Sequence, residues 1–147
     1  DGDAYSDLQK LRESLSLEDR VILCGKKTYQ ELPHYIAAAD VCLLPSYPWE
    51  PIMQEIVPIK LYEYMAMAKP VLSTKLPGVM SEFGQENGIV FVDRPEDVVN
   101  TALSLKRDDA LLHLGLEARE HVAQHDWKII ADRFETALEE CINVRLS

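Results

Sequence analysis

The chain predicts an α/β fold, a parallel sheet with helices on both faces, and three observations carry that expectation. Short uninterrupted apolar runs at Val21-Ile22-Leu23-Cys24, Val41 to Leu44, Val71 to Thr74 and Ile89 to Val92 have the length of strands buried on both sides. Stretches with apolar residues at helical spacing separate them. Turn signals punctuate the sequence at Gly25, Pro45-Ser46, Leu76-Pro77-Gly78 and Asn87-Gly88. Strands alternating with helices in this way imply βαβ units, whose ligands bind at the carboxyl ends of the strands.

At 147 residues the chain is read as one domain, residues 1–147, large enough to bury about two thirds of its unfolded surface. A net charge of −10 argues against a nucleic-acid surface, which needs clustered Lys and Arg, and points to a small-molecule or protein partner. No apolar run approaches the roughly 20 residues of a membrane span, and no basic, apolar leader is seen. Cys24, Cys42 and Cys141 lack metal-ligand spacing. With Cys24 and Cys42 inside strand candidates, they read as buried thiols in a reducing, cytoplasmic setting.

In chain order, a helix is expected over about Tyr5 to Leu15, with Leu8, Leu11 and Leu15 as its apolar stripe. After the Val21 run, Thr28 and Glu31 have capping-box spacing and open a helix over about Tyr29 to Ala39. The Val41 run leads into a proline-rich loop, Ser46 to Val57, which carries Tyr47 and Trp49 at a strand's carboxyl end. Pro58 then suits the first turn of a helix that Pro70 ends about three turns later. On that helix Ile59, Tyr62, Met65 and Ala66 are expected to face the core, with Lys60, Glu63 and Met67 on another side. Glu55 thus stands in the loop before the helix and Glu63 in its second turn. A helix N-terminus with a nearby Lys suits an anion, and two carboxylates around it suggest a ligand carrying both phosphates and hydroxyls.

After the Val71 strand, Leu76-Pro77-Gly78 is read as a turn and Asn87-Gly88 as the entry to the fourth strand. Three helices follow: one opened by Pro95-Glu96-Asp97 and running to about Lys106, one over about Asp108 to Gln124, and one capped by Asp126 with Trp127 in the core. Internal repeats are absent from the sequence.

The segments Ala37-Ala38-Ala39-Asp40-Val41, Leu44-Pro45-Ser46, Lys60-Leu61-Tyr62-Glu63-Tyr64-Met65-Ala66, Lys69-Pro70-Val71 and Asn87-Gly88-Ile89-Val90, with Glu55 eight positions before Glu63, together resemble the group 1 family of retaining glycosyltransferases. The resemblance is to the C-terminal, donor-binding half of their GT-B architecture, a Rossmann-like domain, and extends from Gly2-Asp3 to Asp126-Trp127. It implies transfer of a sugar from a nucleotide-diphosphate sugar with retained anomeric configuration. In that setting Glu63 would accept hydrogen bonds from ribose hydroxyls, and Glu55 would be the catalytic carboxylate against the donor sugar. The N–H groups of Ile56 and Val57, with Lys60, would stabilise the leaving diphosphate, and Ser46 would line the substrate site. Gly25 and Lys26 resemble the turn that borders the nucleotide base. The donor is a substrate, no cofactor is implied, and no metal site is visible.

Two departures from the family pattern stand out. Ile56-Val57-Pro58 replaces the Gly-x-Gly-like run that many members carry before the helix, and Glu50, next to Trp49, is a rival for the first carboxylate. The first strands of the family's donor domain, with a basic residue that contacts the diphosphate, and the acceptor-binding N-terminal half are not matched. The chain is therefore expected to be a fragment with little activity alone, whose absent half could hold it at a membrane surface.

Ordinary readings stand beside these. Lys60 and Glu63 also form an i,i+3 surface pair, and Glu55 also reads as a solvated loop charge. Ser46 also suits a turn, and His34, His113, His121 and His125 fall at helical or capping positions. The competing functions are a binding or scaffold module of the same fold and a sugar-nucleotide epimerase or phosphorylase.

Overall fold

The computed structural model describes residues 2–85 and 87–146, with side chains as far as Ile142. It divides into two compact units, Asp1–Tyr35 and Ile36–Ser147.

In the first unit α1 (Tyr5–Ser14) forms where the leucine spacing predicts, but Leu8, Leu11 and Leu15 are each about half exposed. The chain leaves this helix through Ser16, whose φ of 52° turns it sharply. Arg12 then donates to the Val21 carbonyl at 3.3 Å, and the Val21 N–H donates back to the Leu17 carbonyl at 2.8 Å. The predicted Val21–Cys24 strand does not form: Ile22 is 81% exposed, and Cys24 is exposed rather than buried. An apolar run becomes a strand only when a neighbour supplies its ladder hydrogen bonds, and no described strand pairs with this one. Glu31 does reach back to Thr28, accepting from its N–H at 2.9 Å and its hydroxyl at 2.7 Å. Those bonds hold the Glu31 carboxyl below its usual range. The helix they introduce, α2 (Leu32–Ala38), is shorter than predicted and crosses into the second unit.

The second unit is built on a parallel sheet in the order β1 (Cys42–Leu44), β2 (Val71–Thr74), β3 (Ile89–Val92). Cys42 pairs with Val71, and Val71 with Ile89. Residues alternate between two cores, as strand geometry requires. One face sends Cys42, Leu44, Val71 and Ile89 against α3 (Ile59–Ala66), α4 (Pro77–Phe83) and α6 (Leu111–Val122), where Leu61, Met65, Val79, Phe83 and Ala118 close the core. The other sends Leu72 and Val92 against α5 (Val98–Arg107) through Val98, Ala102 and Leu105. Helices on both faces of a parallel sheet match the predicted class, with three strands among the described residues in place of four.

The central helix is shorter than its two prolines suggest. Pro58 caps it from an extended conformation, and it ends after Ala66 because Ala68 adopts a left-handed φ of 54° ahead of Pro70. Its buried face is also rotated from the predicted one. Leu61 and Met65 are fully buried and Tyr62 is half-buried, whereas Ile59 is 65% exposed and Ala66 is exposed. Burying Leu61 and Met65 is worth about 1.5–3 kcal/mol each, and the pair sits four residues apart on one helical face.

Leu76-Pro77-Gly78 does more than turn the chain. Pro77 occupies the first position of α4, where its missing N–H costs nothing, and Gly84 with φ 68° ends that helix. Asn87 is buried beyond a simple turn role. Its amide donates to the Phe83 and Gly84 carbonyls at 3.0 Å, and its Oδ1 accepts from the Ile89 N–H at 2.8 Å. Beside it Gly88 has φ 76° and no room for a side chain, because a Cβ there would meet the Leu114 carbonyl and Ala118 of α6.

The last helix, α7 (Trp127–Leu146), begins as expected, with Asp126 Oδ1 accepting from the Lys128 N–H at 2.9 Å. Trp127 is not core, however: it is 76% exposed and heads an exposed stripe with Phe134, Leu138 and Ile142. Among the described residues no helix is long and apolar enough to cross a membrane.

Candidate functional site at the carboxyl edge of the sheet

The chain leaves β1 at its carboxyl end and returns through α3 to the start of β2, so α3 runs antiparallel to the strands. The N-terminus of α3 consequently stands at the carboxyl edge, where parallel sheets bind ligands. Lys60 lies exposed in the first turn of this helix, and Glu63, half-buried, lies one turn further on. The first turn contains no acidic residue, so nothing on the helix itself neutralises its positive end.

Before the helix, Pro51–Met53 form a short 3-10 turn, with the Gln54 amide donating to the Pro48 carbonyl and Glu50 exposed at its start. Glu55 and Ile56 follow, both exposed, and Val57 turns inward to pack on the core. The contact that holds this stretch is at Gly78, in the first turn of α4. A Cβ there would come within 2.8 Å of the Ile56 carbonyl oxygen and 3.0 Å of the Glu55 carbonyl carbon. Only a glycine lets the two backbones meet this closely. It is thus the backbone of Glu55, the first of the two rival carboxylates in the sequence reading, that abuts α4.

The loops along this edge are tied to one another. Thr74, fully buried at the end of β2, donates its hydroxyl to the Ser46 carbonyl, so Ser46 contributes its backbone to the turn after β1. Lys75 pairs with Asp93 at 2.5 Å, joining the ends of β2 and β3, and its hydrogen bond holds the Asp93 carboxyl below the ordinary range. The Tyr47 hydroxyl donates to Glu96 at 3.3 Å, and the Glu96 charge raises the Tyr47 phenol above its usual value. The Trp49 ring lies 4.6 Å from that of Tyr47, so the aromatic loop packs on itself.

Of the predicted site residues, Glu55, Ile56, Val57, Lys60, Glu63 and Ser46 lie in the second unit, on the segment joining β1 to β2. Gly25 and Lys26 lie in the first unit, exposed, with Gly25 at φ 65°. The sequence also puts Thr74 to Gly78 at this carboxyl edge but gives Thr74, Lys75 and Gly78 no role there, and it offers no sign of Asp93. Gly78 left a signal, a glycine just inside a proline-opened helix after a buried strand, whereas the Lys75–Asp93 pair left none. No group of three or more His, Cys, Asp or Glu side chains able to hold a metal occurs among the described residues. What the edge offers is an open helix N-terminus beside a lysine, followed by a half-buried carboxylate: donors for an anion and an acceptor for hydroxyls.

Comparison with known proteins places the chain in a family. A family model described as "Glycosyl transferases group 1" matches residues 1–108. A Bacillus subtilis (strain 168) protein named as a teichuronic acid biosynthesis glycosyltransferase, TuaH, is 37% identical over 75 residues, 51% of this chain and 18% of that protein. N-acetyl-alpha-D-glucosaminyl L-malate synthase of Bacillus anthracis is 28% identical over 140 residues, 92% of this chain and 35% of that protein. Among solved structures, sucrose-phosphate synthase (tll1590) from Thermosynechococcus elongatus superposes with a TM-score of 0.77 and 25% identity over 95% of this chain and 34% of its own length. The chain therefore spans between 18% and 35% of the length of these relatives.

Proposed function

This chain belongs to the group 1 glycosyltransferases, and from that premise we propose that it is the donor-binding part of an enzyme transferring a sugar, of the hexose class, from a nucleotide-diphosphate sugar to an acceptor with retained configuration. The observation that carries the proposal is the placement of the Glu55–Glu63 stretch, within the residues the family model matches. Gly78 fixes its loop, and its helix opens at the carboxyl edge of the sheet. The GT-B likeness to sucrose-phosphate synthase supports the same reading.

Each residue then has a chemical task. Glu63 accepts hydrogen bonds from the ribose hydroxyls, for which a half-buried carboxylate is a strong acceptor. The start of α3, the N–H groups of Ile56 and Val57, and Lys60 face the diphosphate and stabilise the charge that grows on it as the glycosidic bond breaks. Glu55 stands against the donor sugar, where its negative charge favours the oxocarbenium-like transition state. The backbone and hydroxyl ties at Ser46, Thr74 and Gly78 hold these groups in place before the donor arrives. On this reading the acceptor is bound by residues beyond the part matched here, since the chain spans only 18% and 35% of these relatives. The names of the relatives, teichuronic acid biosynthesis in one and a glucosaminyl malate synthase in the other, are consistent with sugar transfer to unlike acceptors.

Calorimetric titration of the intact protein with UDP and with GDP tests this reading. One of them is expected to bind, with Glu63→Ala weakening it at least tenfold. A folded protein that binds neither nucleotide would favour a docking module of the same fold.

A further inference from the structure

Tyr62, the neighbour of Glu63 on α3, meets α4 and the turn after α6 at a cluster that the donor site does not use. Its hydroxyl donates to Glu82 Oε1 at 2.9 Å. Its ring lies 5.1 Å from that of Phe83 and 5.6 Å from that of His125. His125 Nε2 stands 3.7 Å from the same Glu82 oxygen, its Nδ1 is buried without a partner, and its ring stacks on His121 at 5.8 Å. Glu82 is in the last turn of α4. The first turn of that helix is where Gly78 abuts Glu55 and Ile56. A seven-residue helix therefore touches the candidate site twice, at the loop of Glu55 through its start and at the residue beside Glu63 through its end.

The geometry points to Glu82 as a positioning residue for the donor site: through the Tyr62 hydroxyl it sets the rotation of α3 about its axis, and hence the direction in which Glu63 presents its carboxylate. α3 has only two turns and a left-handed exit at Ala68, so the core contact that orients it is short. Leu61 and Met65 anchor its inner side, Tyr62 and Tyr64 pack beside them, and the solvent-exposed Tyr62–Glu82 bond adds a directional restraint on one flank. Burial and the bond to Glu82 keep the Tyr62 phenol protonated, at about 12, so the donor persists through the physiological range. This inference rests on the donor reading of Glu63 given above.

The test measures affinity of the intact protein for whichever of UDP and GDP it binds, together with thermal midpoint, for four variants. Tyr62→Phe and Glu82→Ala are each expected to weaken binding about fivefold, and the double variant to be no weaker than either single one. Glu82→Gln, which keeps an acceptor oxygen, is expected to restore affinity to within about twofold of wild type. Unchanged affinity in Tyr62→Phe and Glu82→Ala, with Glu63→Ala still weakening binding at least tenfold, would overturn the positioning role and leave the donor reading intact. Unchanged affinity in Glu63→Ala as well would remove both. Losses that follow the thermal midpoint and are not rescued by Glu82→Gln would reduce the cluster to a structural contact and overturn the inference.

Discussion

His121 is held below its ordinary pKa, first by burial and then by the neighbouring charge of His125, with Glu82 opposing. A histidine depressed in the folded state takes up its proton later than it does in the unfolded chain. Its contribution to stability is therefore complete above the unfolded value of about 6.5 and is lost as pH falls toward the lower folded value. Thermal midpoints between pH 7.5 and 5 are expected to fall on the acid side, and His121→Gln to flatten that fall; equal slopes in both proteins would contradict the assignment. Cys42 shows how placement changes a group that composition alone cannot judge. Burial beneath α3 raises its thiol to about 11, so it packs as a small apolar side chain, whereas Cys24, read from the same kind of apolar run, is exposed.

Among the elements, the bend of Asn87 and Gly88 between α4 and β3 is the most constrained connection in the unit. Asn87→Ala would strip three hydrogen bonds and leave the buried Phe83 carbonyl and Ile89 N–H without partners, while the exposed Gly84 carbonyl turns to water. The cost is about 2–4 kcal/mol. Chemical denaturation should show it as a lowered midpoint with an unchanged slope, and a shift below about 0.5 kcal/mol would contradict the role. The elements also show where sequence was and was not legible. Val71–Thr74 and Ile89–Val92 appear at the predicted residues because each has a pairing partner and apolar cover on both faces. Val21–Cys24 carries the same pattern but lacks a described partner, and pairing is not a local property. α4 was hidden because Leu76-Pro77-Gly78 is equally good turn chemistry and helix-opening chemistry. The buried face of α3 is not legible because apolar and aromatic residues cover all of it except the side of Lys60 and Glu63, so Ile59 and Leu61 compete and only the packing partner decides. Glu55 and Glu63 could be singled out from spacing. Gly78 and Glu82, which hold them, act through contacts between segments far apart in sequence, so what they touch is not legible there.

On the scale of the whole molecule, the chain spans 18% and 35% of the two relatives named above, and its sheet carries β1 as an edge strand with Leu43 partly exposed. An active site that needs both a donor and an acceptor surface is therefore expected to be incomplete here. The purified chain should turn over candidate nucleotide sugars at no more than a trace of the intact protein's rate, as a coupled assay of nucleotide release would measure; comparable rates would contradict this. One carboxylate and two hydroxyls decide whether a nucleotide is held at this edge. The most direct measurement is a cycle of dissociation constants for the ribonucleotide and its 2′,3′-dideoxy analogue on wild-type protein and on Glu63→Ala. If Glu63 holds the ribose, wild type should prefer the ribonucleotide by about tenfold or more and the variant should not distinguish the two; an equal preference in both proteins would contradict the account.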